Sequence, residues 1–129
     1  MGPLAAKQGD RIESMDNHTV QTSNGLVNSP CEFKGKLTGN LSRNVNIMGL
    51  PAATVGSVAF NVPKHVPVGG DFLNKPLPDQ GSVQKGSSSV NINGSPAARH
   101  GDTALTCNDP PALPPGRVVV DSGTVRIGD

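Results

Sequence analysis

One phrase recurs along this chain, and its recurrence restricts the possible folds more than any other feature. Ser89–Asp102 reads SVNINGSPAARHGD. Val90-Asn91-Ile92-Asn93 alternates apolar and polar residues, as a half-buried strand does. Gly94 supplies a bend, and Pro96-Ala97-Ala98-Arg99 runs on to Gly101-Asp102. Asn44–Ser57, NVNIMGLPAATVGS, repeats the phrase 45 residues earlier. Val45, Ile47, Gly49, Pro51, Ala52, Ala53 and Gly56 fall in register with Val90, Ile92, Gly94, Pro96, Ala97, Ala98 and Gly101. A third copy is divided between the chain ends: Thr124–Asp129 matches the first half of the phrase and Leu4–Asp10 the second. Regular self-similarity of this kind is an architectural signal. A divided copy requires the two ends to meet in space and close a pseudo-threefold object.

Composition narrows what such an object can be. At 129 residues the chain is predicted to form one domain, residues 1–129. The net charge of +1 gives no electrostatic case for nucleic acid or an anionic membrane. There is no Trp or Tyr and only 3 Phe, so stacking platforms for single strands or sugars are missing. Apolar residues make up 34% and are mostly Val, Ala and Leu, a lean supply for a core. A chain this poor in large hydrophobes needs a staple such as a metal, a disulfide or a partner. Met1–Lys7 has no apolar signal-peptide core, and no apolar run approaches the length of a membrane span. The expectation is synthesis in the cytoplasm without a signal peptide, with any export carried out by something else.

Taken in order, Arg11–Asn17 reads as polar connection and Asn24–Pro30, rich in Asn, Gly, Ser and Pro, as loop. A preparatory strand begins each unit: Gly35-Lys36-Leu37, Gly81-Ser82-Val83 and Gly116-Arg117-Val118. Between units lie long excursions, Val58–Gly81 and Thr103–Pro115, whose prolines exclude helix and block ladder pairing. No amphipathic helical period is present, so the fold class is all-β. The paired alanines Ala5-Ala6, Ala52-Ala53 and Ala97-Ala98 are expected where strands crowd near a narrow axis. Gly9, Gly56 and Gly101 are expected to make the turns after them. Asp10, Asp102 and Asp129 read as turn residues. An Arg99–Asp102 pair, if exposed, would contribute little.

The metal-capable side chains fall on this repeat. His18 lies eight positions after Asp10, His65 eight after Ser57, and Cys107 five after Asp102. Each unit thus ends its turn and then presents one ligand on the excursion that follows. Threefold symmetry gathers the three at one pole. His nitrogen and Cys sulfur suit a four-coordinate structural zinc, and iron is the other ion compatible with these ligand types. The competing readings are a Cys31–Cys107 disulfide, which cytoplasmic synthesis disfavours, and a pair of unrelated buried thiols. No metalloprotease, nucleophile-elbow or phosphate-loop motif is present, so an enzyme is not expected.

Pro96-Ala97-Ala98-Arg99 spells the motif for which the PAAR-repeat proteins are named, and the whole chain resembles a PAAR or PAAR-like protein. That family caps the trimeric spike of contractile injection machines: type VI secretion systems, phage tails and extracellular injection systems. The resemblance implies a small pseudo-threefold β-cone of three repeats with long Pro/Gly-rich loops and a metal near the vertex. It implies a structural tip that sharpens a trimeric β-helical spike, one monomer per spike trimer, and pierces a target envelope. Effector or cargo proteins are possible further partners. Such a tip would be assembled on the particle and delivered outside the cell or into a target cell. Relatives often carry His where Cys31 stands in Pro30-Cys31-Glu32-Phe33, which makes Cys31 the favoured fourth ligand. PAAR sites are more usually three His and one Cys, so His100 stays open as the alternative. The candidate set is therefore His18, Cys31, His65 and Cys107, with His100 in reserve. The chain stops at the end of its last strand, so no covalently attached effector is expected. The competing classes are a stand-alone β-repeat binding or adhesion module and a small zinc hydrolase, which would need an open metal position.

Overall fold

The computed structural model describes residues 2–62, 64–67, 69–73, 79–107 and 116–128, and every element among them is a strand. In chain order these are β1 (Arg11–Thr22), β2 (Gly25–Gly39), β3 (Asn46–Ile47), β4 (Leu50–Pro51), β5 (Val58–Asn61) and β6 (Gly70–Phe72). They continue with β7 (Gln80–Val83), β8 (Asn91–Ile92), β9 (Ser95–Pro96), β10 (Thr103–Leu105) and β11 (Gly116–Val119). The all-β expectation holds, and no helix among the described residues is long and apolar enough to cross a membrane. The turn residue Asp129, the Asn108–Pro115 part of the second excursion and several prolines of the Val58–Gly81 excursion lie outside the described residues.

The repeated phrase folds as a tight hairpin. β3 pairs with β4, Asn46 opposite Pro51, and β8 with β9, Asn91 opposite Pro96. Met48-Gly49 and Asn93-Gly94 make the two-residue turns, with φ of 53° and 81° and of 53° and 83°. Positive φ at both central positions is what a type I′ hairpin requires, since its twist matches that of the flanking strands. In the divided copy Leu4 bridges Arg126 in the corresponding register, and the Ile127 N–H donates to Pro3 O at 3.0 Å. The two chain ends do meet, where the third hairpin turn would be.

Three hairpins are then joined by a ring of backbone hydrogen bonds. Ala6 N–H donates to Ala98 O, Ala98 N–H to Ala53 O, and Ala53 N–H to Ala6 O, each at 3.0 Å. A second ring runs outside it: Gln8 to Pro51, Val55 to Pro96 and His100 to Leu4, at 2.8–2.9 Å. The side chains of Ala5, Ala6, Ala52, Ala53, Ala97 and Ala98 are all buried. Only a methyl group fits where three backbones converge this closely, and that explains the paired alanines. Beyond the ring the chain turns through Gly9, Gly56 and Gly101, at φ of 90°, 94° and 89°, a region open to Gly at little cost. Each turn is closed from within: Lys7 N–H to Asp10, Thr54 N–H to Ser57 Oγ and Arg99 N–H to Asp102, at 2.7–2.9 Å. The Arg99–Asp102 ion pair, at 2.9 Å, is buried rather than exposed, because Asp102 caps the turn beneath the Arg99 stem.

From these turns the strands rise into a barrel. Pairing runs β11-β10-β7-β5-β2-β1 and closes through Arg11–Glu13 of β1 on β11, with β6 added to the far end of β1 at Val20–Thr22. The core has two parts. Ala5, Ala52, Ala97, Ile47, Ile92 and Ile127, repeat equivalents of one another, fill the hairpin end. Leu37, Val83 and Val118 from the preparatory strands, with Ile12, Ala59, Ala104 and Phe33, fill the barrel above the alanine ring.

Four stretches depart from expectation. The excursions Val58–Gly81 and Thr103–Pro115, expected to stay out of the ladder, contribute β5, β6 and β10 from their proline-free parts. Two segments expected as connection and loop are strands. Arg11–Asn17 and Asn24–Pro30 form most of a long antiparallel ribbon, β1 with β2, paired from Arg11–Lys36 to Thr22–Gly25. β1 does alternate, with Ile12, Asp16, His18 and Val20 buried. Its inward positions include polar residues, so the hydrophobic period that marks a strand is masked. Pro30, opposite Asn17, is tolerated on β2 because β5 flanks that strand only from Gly35 onward, leaving Pro30 on an outer stretch of the ladder.

Candidate metal centre

A strand advances about 3.3 Å per residue, so β1 carries its inward face roughly 20 Å from Ile12 to His18, away from the hairpin end. Along that face the lining changes from apolar to polar. Ile12, Ala59 and Ala104 are buried in the core, while Asn61 and Thr106, two residues further along their chains, are buried polar groups. Beyond this layer Asp16, His18, His65 and Cys107 place one donor atom each within 4.8 Å of one another.

The geometry of these four is specific. His18 Nε2 lies 3.0 Å from His65 Nδ1, and Cys107 Sγ lies 3.6 Å from the first and 3.5 Å from the second. Asp16 Oδ2 is 3.4 Å from Cys107 Sγ. Donor atoms bonded to a four-coordinate zinc at about 2.0–2.3 Å stand about 3.3–3.8 Å apart. The thiol-to-imidazole and thiol-to-carboxylate separations fall in that range, and the His pair is closed slightly further by its hydrogen bond. His65 is oriented by its other nitrogen: Nε2 lies 3.0 Å from Glu32 O, a carbonyl that can only accept. Nε2 therefore donates to Glu32 O, and Nδ1 faces the cluster. Asp79 accepts the His65 backbone N–H at 3.0 Å and fixes the segment that carries the ring.

Two of the three phenylalanines surround this pair. His18 packs on Phe72 with ring centroids 5.2 Å apart, and His65 meets Phe33 edge-on at 6.3 Å. His18 and Phe33 are fully buried. Burial and the neighbouring Asp16 charge push the Cys107 thiol well above its ordinary range, so with no cation present it holds its proton. A cation at the centre of the four would reverse that preference, because a coordinating thiol is deprotonated. The donor set fits a metal ion of the zinc type.

Of the residues singled out from sequence, His18, His65 and Cys107 come together. Cys31 lies on the inward face of β2, directly across from Asp16, but is not among the four, and its thiol is directed to Ser29 O at 3.7 Å. Burial raises the Cys31 thiol as well. Both cysteines are free, so the disulfide reading is set aside. His100 is exposed, belongs to the turn of the second repeat and accepts the Val120 N–H on Nδ1 at 3.0 Å. Asp16 is the member that sequence reading missed. The available signal was its place two residues before His18, which puts both side chains on one face once the segment is a strand.

Fold and cluster together define a class: a small pseudo-threefold β barrel, closed by repeat hairpins at one end and gathering His, Cys and Asp donors beyond its core. The PAAR motif family matches residues 28–110, more than half of the chain, and the chain belongs to that family. The matched stretch contains the two unbroken copies of the repeat, and the structure supplies the divided third. No curated protein matches the chain. The PAAR motif supports a spike-tip role in contractile injection systems, in association with the spike.

Proposed function

We propose that this chain is the terminal cap of a trimeric spike, one copy per three spike chains, and that it forms the hard point with which the particle breaches a target envelope. The observation that carries this reading is the closed ring Ala6–Ala98–Ala53 with its equal hydrogen bonds. A single chain with three equivalent sides can offer each chain of a true threefold partner a similar contact. An asymmetric monomer could not. Hairpin-end side chains suit such a contact: Val45, Met48, Leu50 and Val125 are large, apolar and exposed. Strand addition at that end would continue the ladder of a β-helical spike and cover edges that otherwise invite aggregation.

At the other end His18, His65 and Cys107 would hold a zinc ion, or iron as the second choice, with a fourth donor from β1 or β2. Its contribution is structural: metal binding joins β1 to the segments carrying His65 and Cys107, and its free energy becomes local folding free energy. With four protein donors the ion would have no position for substrate, and the role is mechanical rather than enzymatic. The chain acts as one folded unit and travels outward on the particle, with effector or cargo proteins as further partners.

Native mass spectrometry of the chain mixed with the spike trimer tests the capping step. One copy per trimer is expected. Three copies per trimer, or no complex while the chain is folded, would remove the reading.

A further inference from the structure

We infer that Asp16, through Oδ2, is the fourth donor of the proposed metal centre, and that the hydroxyls of Ser14 and Thr106 hold its carboxylate to one-oxygen ligation. This rests on the reading that the cluster binds an ion. Asp16 is fully buried, and its two oxygens have different surroundings. Oδ1 accepts a hydrogen bond from Ser14 Oγ at 2.6 Å and another from Thr106 Oγ1. Oδ2 faces the cluster, 3.4 Å from Cys107 Sγ. Two hydroxyl donors on one oxygen leave the other as the available ligand and fix the plane of the carboxylate, as partners of ligating groups do in metal sites generally.

The charges agree with this assignment. A carboxylate, a thiolate and two neutral imidazoles carry two negative charges, which cancel a divalent ion in a place where uncompensated charge would be costly. Asp16, His18 and Cys107 are buried and His65 is half-buried, so four protein donors are in place without Cys31. Cys31 is then a bystander on the neighbouring strand, its thiol turned to Ser29 O.

Cobalt(II) serves as the spectroscopic probe and zinc as the competitor, on the full chain carrying no histidine-rich tag. Four proteins are compared: wild type, Cys31→Ala, Asp16→Asn and Thr106→Val. Wild type is expected to take up one cobalt with the intense visible bands of a four-coordinate site and a charge-transfer band from one thiolate. Cys31→Ala is expected to keep that spectrum and affinity unchanged. Thr106→Val should bind about 10–100-fold more weakly while retaining the thiolate band, the size of effect usual for a partner of a ligand. Asp16→Asn, nearly the same shape, should bind more weakly still. Loss of half the thiolate band in Cys31→Ala, with Asp16→Asn at wild-type affinity, would overturn the assignment and leave the metal centre standing. Wild type that takes up neither cobalt nor zinc would overturn the centre itself and the assignment with it.

Discussion

Met48 and Asn93 occupy the same place in two copies of the repeat, the first position of a type I′ turn, both at φ 53°. Asn tolerates that conformation through its short polar side chain, whereas a long side chain in it costs about 1–2 kcal/mol. Asn93 is also tied down, donating to Asn44 Oδ1 at 2.8 Å and accepting from Ser42 Oγ at 2.5 Å. Met48 is half exposed and offers only its sulfur to the Thr124 N–H at 3.4 Å. Met48→Asn is therefore expected to raise stability by about 1 kcal/mol in denaturant unfolding, and Asn93→Met to lower it by at least as much. No gain from the first change would mean the turn carries no such strain. Residues of this kind were legible: Gly49 and Gly94 mark both turns in the sequence itself. Asp16 was not legible, because an acidic residue in a polar-looking segment reads as solvated until the strand around it is known.

The ribbon of β1 and β2 is where sequence reading was weakest, and the reason is physical. Period-2 alternation identifies a strand only when its inner face is apolar. On β1 the inner face passes from Ile12 through Ser14 and Asp16 to His18 and Val20, so the hydrophobic signal fades where the proposed metal centre begins. The same stretch that hides the strand thus supplies two of the donors. The lower half of β1 still behaves as ordinary core. Ile12 is completely buried opposite Gly35. Ile12→Ala should cost about 2–5 kcal/mol by thermal or chemical unfolding, whether or not metal is present. A cost that vanished on chelation would show that the barrel depends on the metal and not on this layer. The preparatory strands were read correctly because Leu37, Val83 and Val118 all point into that layer and carry an unmasked apolar signal.

At the scale of the molecule, the closed threefold arrangement was the most legible feature of all. It is encoded three times over, and the divided copy could fold only by bringing the termini together. Its energetic consequence can be checked by symmetry. Ala6, Ala53 and Ala98 are equally buried and equally bonded, so each →Val substitution should overfill the axis and cost about 1–3 kcal/mol, with the three values close to one another. Widely different costs would show that the three sides are not equivalent. What the repeat could not reveal was the direction of the molecule, because symmetry about an axis is silent on which end faces the spike. The structure separates an end lined with apolar hairpin residues from one that gathers the His, Cys and Asp donors. An electron cryomicroscopy map of the chain on its spike trimer, refined without imposed symmetry, tests this most directly. The expected map has one copy on the threefold axis, with the Met48-Gly49 and Asn93-Gly94 turns against the spike and the donor cluster pointing away. A copy seated by the cluster end, or bound off the axis, would contradict it.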